Sequence, residues 1–402
     1  MNVLLRHVRW WSGAREDAGD IRIRRGVVAE MGRGLAVGRR ERVLELAGHL
    51  VLPGLINCHD HLALDLLPLL GTPPYRNMYE WADDIYHPET PPISHILRVG
   101  LRDRLRWGAV RNLIAGATTV MHHDPYSRRW FTARFPVRVP ARYGWSHSLG
   151  FGEDLAADFQ RSSGPYVVHA AEGLDARSAA EVDQLDELGV VGRRTVLVHG
   201  VGVTTSQQRM MVEAGCGLVW CPASNLRLYG RTAPIADLKG RIRIGLGTDS
   251  TLSGSPHLLD ELRAAADTGL ATPDELLRMV TTDAADLLQL DAGAGRLAPH
   301  AAADLCVMPD TGRSPAETLL HTTPADLALV MVAGTPRLAA PEWATALDEG
   351  GPHARIDGRT KWLSVDVAAL RARIHKATDG VGVRDNPIWH TVQADGSAGG
   401  SA

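Results

Sequence analysis

The sequence predicts an α/β protein: a (β/α)8 TIM-like barrel, compressed or short of one unit, carrying a small discontinuous β-sandwich domain formed by its N- and C-terminal segments. Three observations lead there. Between residues 53 and 297 short apolar runs of strand character alternate with helical ones, and repeated strand-then-helix units require parallel strands joined by helical crossovers. That stretch has about the ~250-residue length of such a barrel. The flanking segments, 1–52 and 298–345, read as short strands and turns that complete one β domain, while 346–402 reads as a helical extension and a flexible tail.

In chain order, residues 2–11, 20–24, 27–30 and 43–46 alternate apolar and polar positions between glycine breaks, which favours strands over helix. Residues 52–59 form the first barrel strand. Residues 95–115 repeat Ile96, Val99, Leu101, Leu105, Ala109 and Leu113 at spacings near three and four, a helix. Strand-like runs at 117–122, 137–142, 166–169, 195–199, 217–221 and 242–246 follow, interleaved with helical runs at 178–188, 206–214 and 258–266. One unit between Asp124 and Gly164 is missing from this count. Short-strand character returns at 295–297, 303–308 and 327–332, and Ser364 is placed to cap a helix over 365–377. The tail, 395–402, is Gly, Ser and Ala apart from its first residue, a composition that does not hold a fixed structure.

The chain has 402 residues, 45% of them hydrophobic, with a net charge of −3. It carries no basic footprint for nucleic acid or an anionic membrane, and no apolar run reaches membrane-spanning length. The four cysteines, Cys58, Cys216, Cys221 and Cys306, have no paired spacing and read as reduced thiols, hence a cytoplasmic protein.

Polar groups at the carboxyl ends of barrel strands meet at one mouth. His59 and His61, two apart in an extended run, project to the same side. Histidine also closes the runs ending at His122 and His123, His169 and His199, and Asp249 follows Gly245-Leu246-Gly247-Thr248. A single such histidine is ordinary; one at each of several strand ends is a metal-ligand pattern.

These pieces carry a resemblance. Residues 53–61 (Pro-Gly-Leu-Ile-Asn-Cys-His-Asp-His), His169-Ala170-Ala171-Glu172, Val198-His199-Gly200, Cys221-Pro222-Ala223-Ser224-Asn225-Leu226 and Leu246-Gly247-Thr248-Asp249-Ser250 resemble the amidohydrolase superfamily, in its cytosine-deaminase-like and chlorotriazine-hydrolase-like branch. The resemblance implies one divalent metal, Zn²⁺ ahead of Fe²⁺, held by His59, His61, His169 and Asp249, with Glu172, His199 and Asp249 catalytic. Candidate substrate contacts are Trp81, His122 and His123, with packing the alternative reading of the two histidines, and Asn225, which otherwise braces the mouth through its amide. It implies deamination of a nitrogen heterocycle or amidine by metal-hydroxide attack on an sp² carbon, with ring opening of a cyclic amide or dehalogenation as the rival chemistry and a catalytically silent binding barrel as the rival class. The expected partner is a small-molecule substrate, with no nucleic acid and no membrane, and a homodimer as in similar proteins. The sequence departs from the branch at Asp60, where threonine is common, at Trp220, where histidine is common, and in a short segment between His61 and His169. No lysine precedes Lys239, so a bridging lysine is excluded and a single metal favoured; Glu153 is the one carboxylate considered as an alternative bridge.

Overall fold

Pro53-Gly54 divides the first barrel run into two strands that join different sheets. In the computed structural model, which describes residues 1–395, His49–Pro53 pairs with Asn2–Trp11 and Leu305–Pro309, whereas Leu55–Asp60 pairs in parallel with Ala117–His122. The single strand expected over 52–59 is therefore broken. A Cβ on Gly54 would lie 2.2 Å from Thr118 Oγ1, so only glycine admits this close approach as the chain changes sheets. The expected tail at 396–402 lies outside the described residues.

The fold is TIM-barrel-like α/β. A five-stranded parallel sheet runs in the order Ile244–Leu246, Gly217–Trp220, Thr195–His199, Tyr166–Ala170, Gly144–Ser146, and a two-stranded parallel sheet holds Leu55–Asp60 and Ala117–His122. The unit missing from the sequence count is Gly144–Ser146, a strand of three residues that is too short to show a period. Residues 137–142, expected as a full strand, make only a parallel bridge from Arg138 to Thr119, with Arg138 N–H bonded to Thr118 O and Val120 N–H to Arg138 O. Alternate side chains from several strands (Ile56, Cys58, Met121, Val167, Val196, Val198, Val219) form one buried cluster, closed by Leu287 and Leu288. Cys58 packs there, as its position in the strand suggests.

The helix expected over 95–115 is two, Ile93–Leu97 and Leu101–Leu113, parted around Gly100. Helices Ala176–Glu187, Thr205–Ala214 and Leu258–Asp267 match the expected crossovers. The terminal segments build an 11-stranded sheet that includes Asn2–Trp11, Glu16–Arg24, Val27–Gly32, Leu305–Pro309 and Leu329–Val332. The C-terminal segment, expected as helical, also contributes the strands His353–Ile356, Arg359–Leu363 and Val392–Ala394. Its helix spans Val367–Thr378 and is capped by Asp366, whose carboxylate reaches the N–H three residues on, rather than by Ser364. Residues 295–297, expected as a strand, form turns and coil. All four cysteines are buried and unpaired. Among the described residues, no helix is long and apolar enough to cross a membrane.

Candidate active site

Strand ends deliver the expected donors to one place. His59 Nε2 lies 3.2 Å from His169 Nε2 and 3.7 Å from Asp249 Oδ1, and His61 Nε2 lies 3.8 Å from the same Asp249 oxygen. The rings of His61 and His169 stack with centroids 5.4 Å apart. Glycine makes the convergence sterically feasible: a Cβ on Gly247 would sit 2.7 Å from His59 Cβ, so the Asp249 strand can press against the His59 strand. Asp249 N–H then bonds to His59 O at 3.1 Å. Asp249 and His199 both take a left-handed backbone, φ 54° and 72°, which costs an L-residue roughly 1–2 kcal/mol and fits the strain tolerated at functional loops.

The electrostatics suit a cation. Burial pushes His59, His61 and His169 below the usual imidazole range, keeping them neutral, and neighbouring imidazoles push His61 and His169 further down. Asp249 is buried, which alone would raise its pKa. The close approach of His59, at 3.7 Å, and of the His199 and His61 rings outweighs burial and leaves it well below the carboxylate range. Ser224 and Ser253 hydroxyls donate to its Oδ2 at 3.1 and 2.7 Å, and Ser250 N–H donates to Oδ1 at 2.7 Å. Neutral imidazoles beside an ionised carboxylate fit a divalent metal ion. Potential ligand atoms of His59, His61 and Asp249 lie mutually within 4.8 Å, and so do those of His59, His123 and His169.

Beyond the donors stand Glu172 and His199. Glu172 Oε2 is 3.6 Å from His199 Nε2, and Tyr229 hydroxyl donates to Glu172 Oε1 at 3.0 Å. Burial, only partly opposed by His199, raises the Glu172 carboxyl to about 7. A cavity of about 1050 Å³ opens over this cluster and includes His61, His169, Glu172, His199 and Asp249 in its lining.

The tentative substrate residues separate. His122 and Trp81 line the cavity. Asn225 does not: its Oδ1 lies 2.9 Å from His199 Nδ1 and its amide donates to Thr232 at 3.3 Å, so it orients His199. His123 is also absent from the cavity wall; it bonds Ser146 O at 2.9 Å and packs 4.3 Å, centroid to centroid, from His169. Glu153 does not bridge; it holds His147, Oε1 to Nδ1 at 2.9 Å.

Sequence reasoning missed a buried network behind the ligands. Arg111, 1% exposed, donates to Asp60 Oδ1 (3.0 Å), Asp65 Oδ1 (2.7 Å) and the carbonyls of Asp249 (2.9 Å), Ser255 (2.7 Å) and Pro256 (2.7 Å). Asn112 amide donates to Asp60 Oδ2 at 2.6 Å. Asp60, the departure between the two histidines, is thus the anchor by which Arg111 ties the His59 strand to the Asp249 loop. The available signal was Arg111-Asn112 inside an otherwise apolar stretch of helix, since a charge on a buried face needs partners. Tyr229 and Ser224 were legible only as a polar stripe on Pro222–Tyr229, beside Asn225.

Comparison with known proteins follows the same line. A model of the amidohydrolase family matches residues 159–337. The 5-methylthioadenosine/S-adenosylhomocysteine deaminase of Natronomonas pharaonis is 30% identical over 343 residues, covering 69% of this chain and 79% of that protein. The chain belongs to the amidohydrolase family. It is a hydrolase of carbon–nitrogen bonds in the deaminase branch. Two solved amidohydrolase-like folds cover nearly all of it. An adenosine deaminase from Xanthomonas campestris with bound zinc has a TM-score of 0.69 at 17% identity and covers 95% of this chain and 98% of its own. The zinc complex of atrazine chlorohydrolase from Arthrobacter aurescens TC1 has a TM-score of 0.71 at 19% identity, covering 94% and 100%.

Proposed function

We propose that this amidohydrolase deaminates a 6-aminopurine-type heterocycle, with one Zn²⁺ held by His59, His61, His169 and Asp249. We also take the two parallel sheets as one closed barrel, residues 1–52 and 298–345 as the core of a sandwich-like domain, and the cytoplasm as its location. The observation that carries the functional reading is Glu172, a buried carboxyl raised to about 7 and set 3.6 Å from His199 beside the donor cluster. A metal ion at these donors supplies Lewis acidity and a nucleophile from water at neutral pH.

The chain's own groups do the proton work. Asp249, held ionised, stands ready to accept a proton from the attacking water. Glu172, protonated near neutrality, gives its proton to the ring nitrogen next to the attacked carbon, and a carboxyl so tuned contributes about 10²–10⁴ in rate. Water adds across the C=N bond, the amine takes the proton that Asp249 accepted, the C–NH₂ bond breaks to release ammonia, and the new hydroxyl returns its proton to Glu172 to leave a carbonyl. His199, oriented by Asn225 through Nδ1, hydrogen-bonds the attacking water through Nε2. The relative from Natronomonas pharaonis supports an adenine-type ring as the first substrate to test.

The test is ammonia release from zinc-loaded protein over a panel of aminopurines, aminopyrimidines, cyclic amides and chlorotriazines. Ammonia with the matching oxo-purine supports the proposal. Ring-opened or dechlorinated product without ammonia overturns it in favour of the rival chemistry.

A further inference from the structure

We propose that the substrate carries a long, uncharged, apolar substituent on its heterocycle, seated in the outer part of the cavity, and that a charged amino-acid or carboxylate tail is rejected there. This rests on the deamination reading for the identity of the ring. The cavity, at about 1050 Å³, stands at the top of the ~300–1,000 Å³ range of small-molecule sites, so a bare heterocycle leaves most of it unfilled. The donor end aside, most of its wall is apolar, Leu64, Trp81, Ile93, Leu105 and Phe131 among it, with the charged side chains of Asp83, Arg104 and Asp124 set into it.

The rim continues the same chemistry. Tyr86, Leu97, Leu101 and Phe151 line the cavity and are 58%, 37%, 42% and 48% exposed, among the few large apolar side chains left open to water. Apolar groups grouped at the mouth of a cavity mark a ligand path rather than chance exposure.

Charge tells against an anionic tail. Arg104 is the one lysine or arginine among the described lining residues; its Nε and Nη1 are turned to Val99 O at 3.2 Å and Ala63 O at 3.1 Å, and its charge lies against that of Asp124. Two lining histidines outside the donor cluster are hydrogen-bonded, and a third lies near an acid. His147 takes Glu153, His87 takes Asp84 O at 3.0 Å, and His122 faces Asp124 at 3.7 Å. Asp83 and Asp124 share the same wall and repel a carboxylate. A carboxylate brought here loses its hydration to a wall where Asp83 and Asp124 outnumber the one arginine.

The test separates this inference from the reaction. Binding of 9-alkylpurines, which lack the amino group and cannot be deaminated, is measured by calorimetry on zinc-loaded protein from butyl to octyl, beside an octyl chain ending in carboxylate. Kd is expected to fall about fourfold per methylene, and the carboxylate is expected to weaken binding at least tenfold. Leu97→Lys, at the exposed rim, should reverse that order by strengthening the carboxylate-ended ligand, and Leu101→Lys is the second probe should the first misfold. A Kd independent of chain length, or a carboxylate bound as well as a methyl end, overturns the inference. Ammonia release from the matching 9-alkyladenines is read separately: none, with the length trend intact, removes the deamination reading while the cavity's preference stands.

Discussion

Replacing Tyr229 with phenylalanine removes one hydrogen bond and leaves the ring. In the folded protein Tyr229 hydroxyl donates to Glu172 Oε1 at 3.0 Å. Burial raises the carboxyl to about 7, and this bond is one of the influences that hold it down. A donor favours the ionised carboxylate over the neutral acid by about 1 kcal/mol, and 1.36 kcal/mol corresponds to one pH unit. Tyr229→Phe should therefore move the Glu172 titration upward by about 0.7. Glu172 acts as an acid, so activity is present below its pKa and falls tenfold per pH unit above it. The assay is the pH profile of kcat/KM for ammonia release between pH 5.5 and 9, in wild type and Tyr229→Phe. The alkaline limb is expected near pH 7 in wild type and displaced to higher pH in the variant. A limb that stays fixed, or moves to lower pH, refutes the assignment of Glu172 as the acid.

Further outcomes follow from the same geometry. Glu172→Gln should retain a full complement of metal by elemental analysis while losing turnover by about 10²–10⁴ or more; retained turnover would place the proton transfer elsewhere. Asp249→Ala should lose metal and activity together, and a metal-replete variant would contradict its place among the ligands. Arg111→Met leaves Asp60 and Asp65 buried without their cation, a class of change that costs about 3–5 kcal/mol in denaturant unfolding. Burial already raises both carboxyls above their usual range, and removing Arg111 raises them further. A carboxyl raised in the folded state is penalised as pH climbs past its unfolded pKa near 4. The Arg111→Met deficit should thus be smallest near pH 4 and grow toward pH 8; a deficit below about 1 kcal/mol that does not change with pH would show the network to be dispensable.

The site was legible in sequence where chemistry and strand position coincide. His59, His169 and His199 each close an apolar run, His61 lies two residues past the first and Asp249 follows Gly245-Leu246-Gly247-Thr248, so period and residue type pointed to the same mouth. Glu172 was legible through its spacing from His169. Residues whose role depends on distant partners were not. Arg111 reaches Asp60, Asp65 and Asp249 across 138 positions of chain at its longest, and no local period encodes that. Asn225 reads in sequence as a brace of the mouth or a substrate contact; its bonds to His199 and Thr232 make it the brace. Gly144–Ser146 escaped because three residues complete barely one alternation. The break at Gly54 was hidden because both halves of the run are apolar, although they enter separate sheets.

On the reading proposed above, His59, His61, His169 and Asp249 share one ion. An anomalous-difference map collected at the zinc edge from crystals of the zinc-loaded protein shows whether they do. A single peak is expected, about 2.0–2.2 Å from the three Nε2 atoms and Asp249 Oδ1. A peak bound by His123 in place of Asp249, a pair of peaks, or none at these side chains would contradict it.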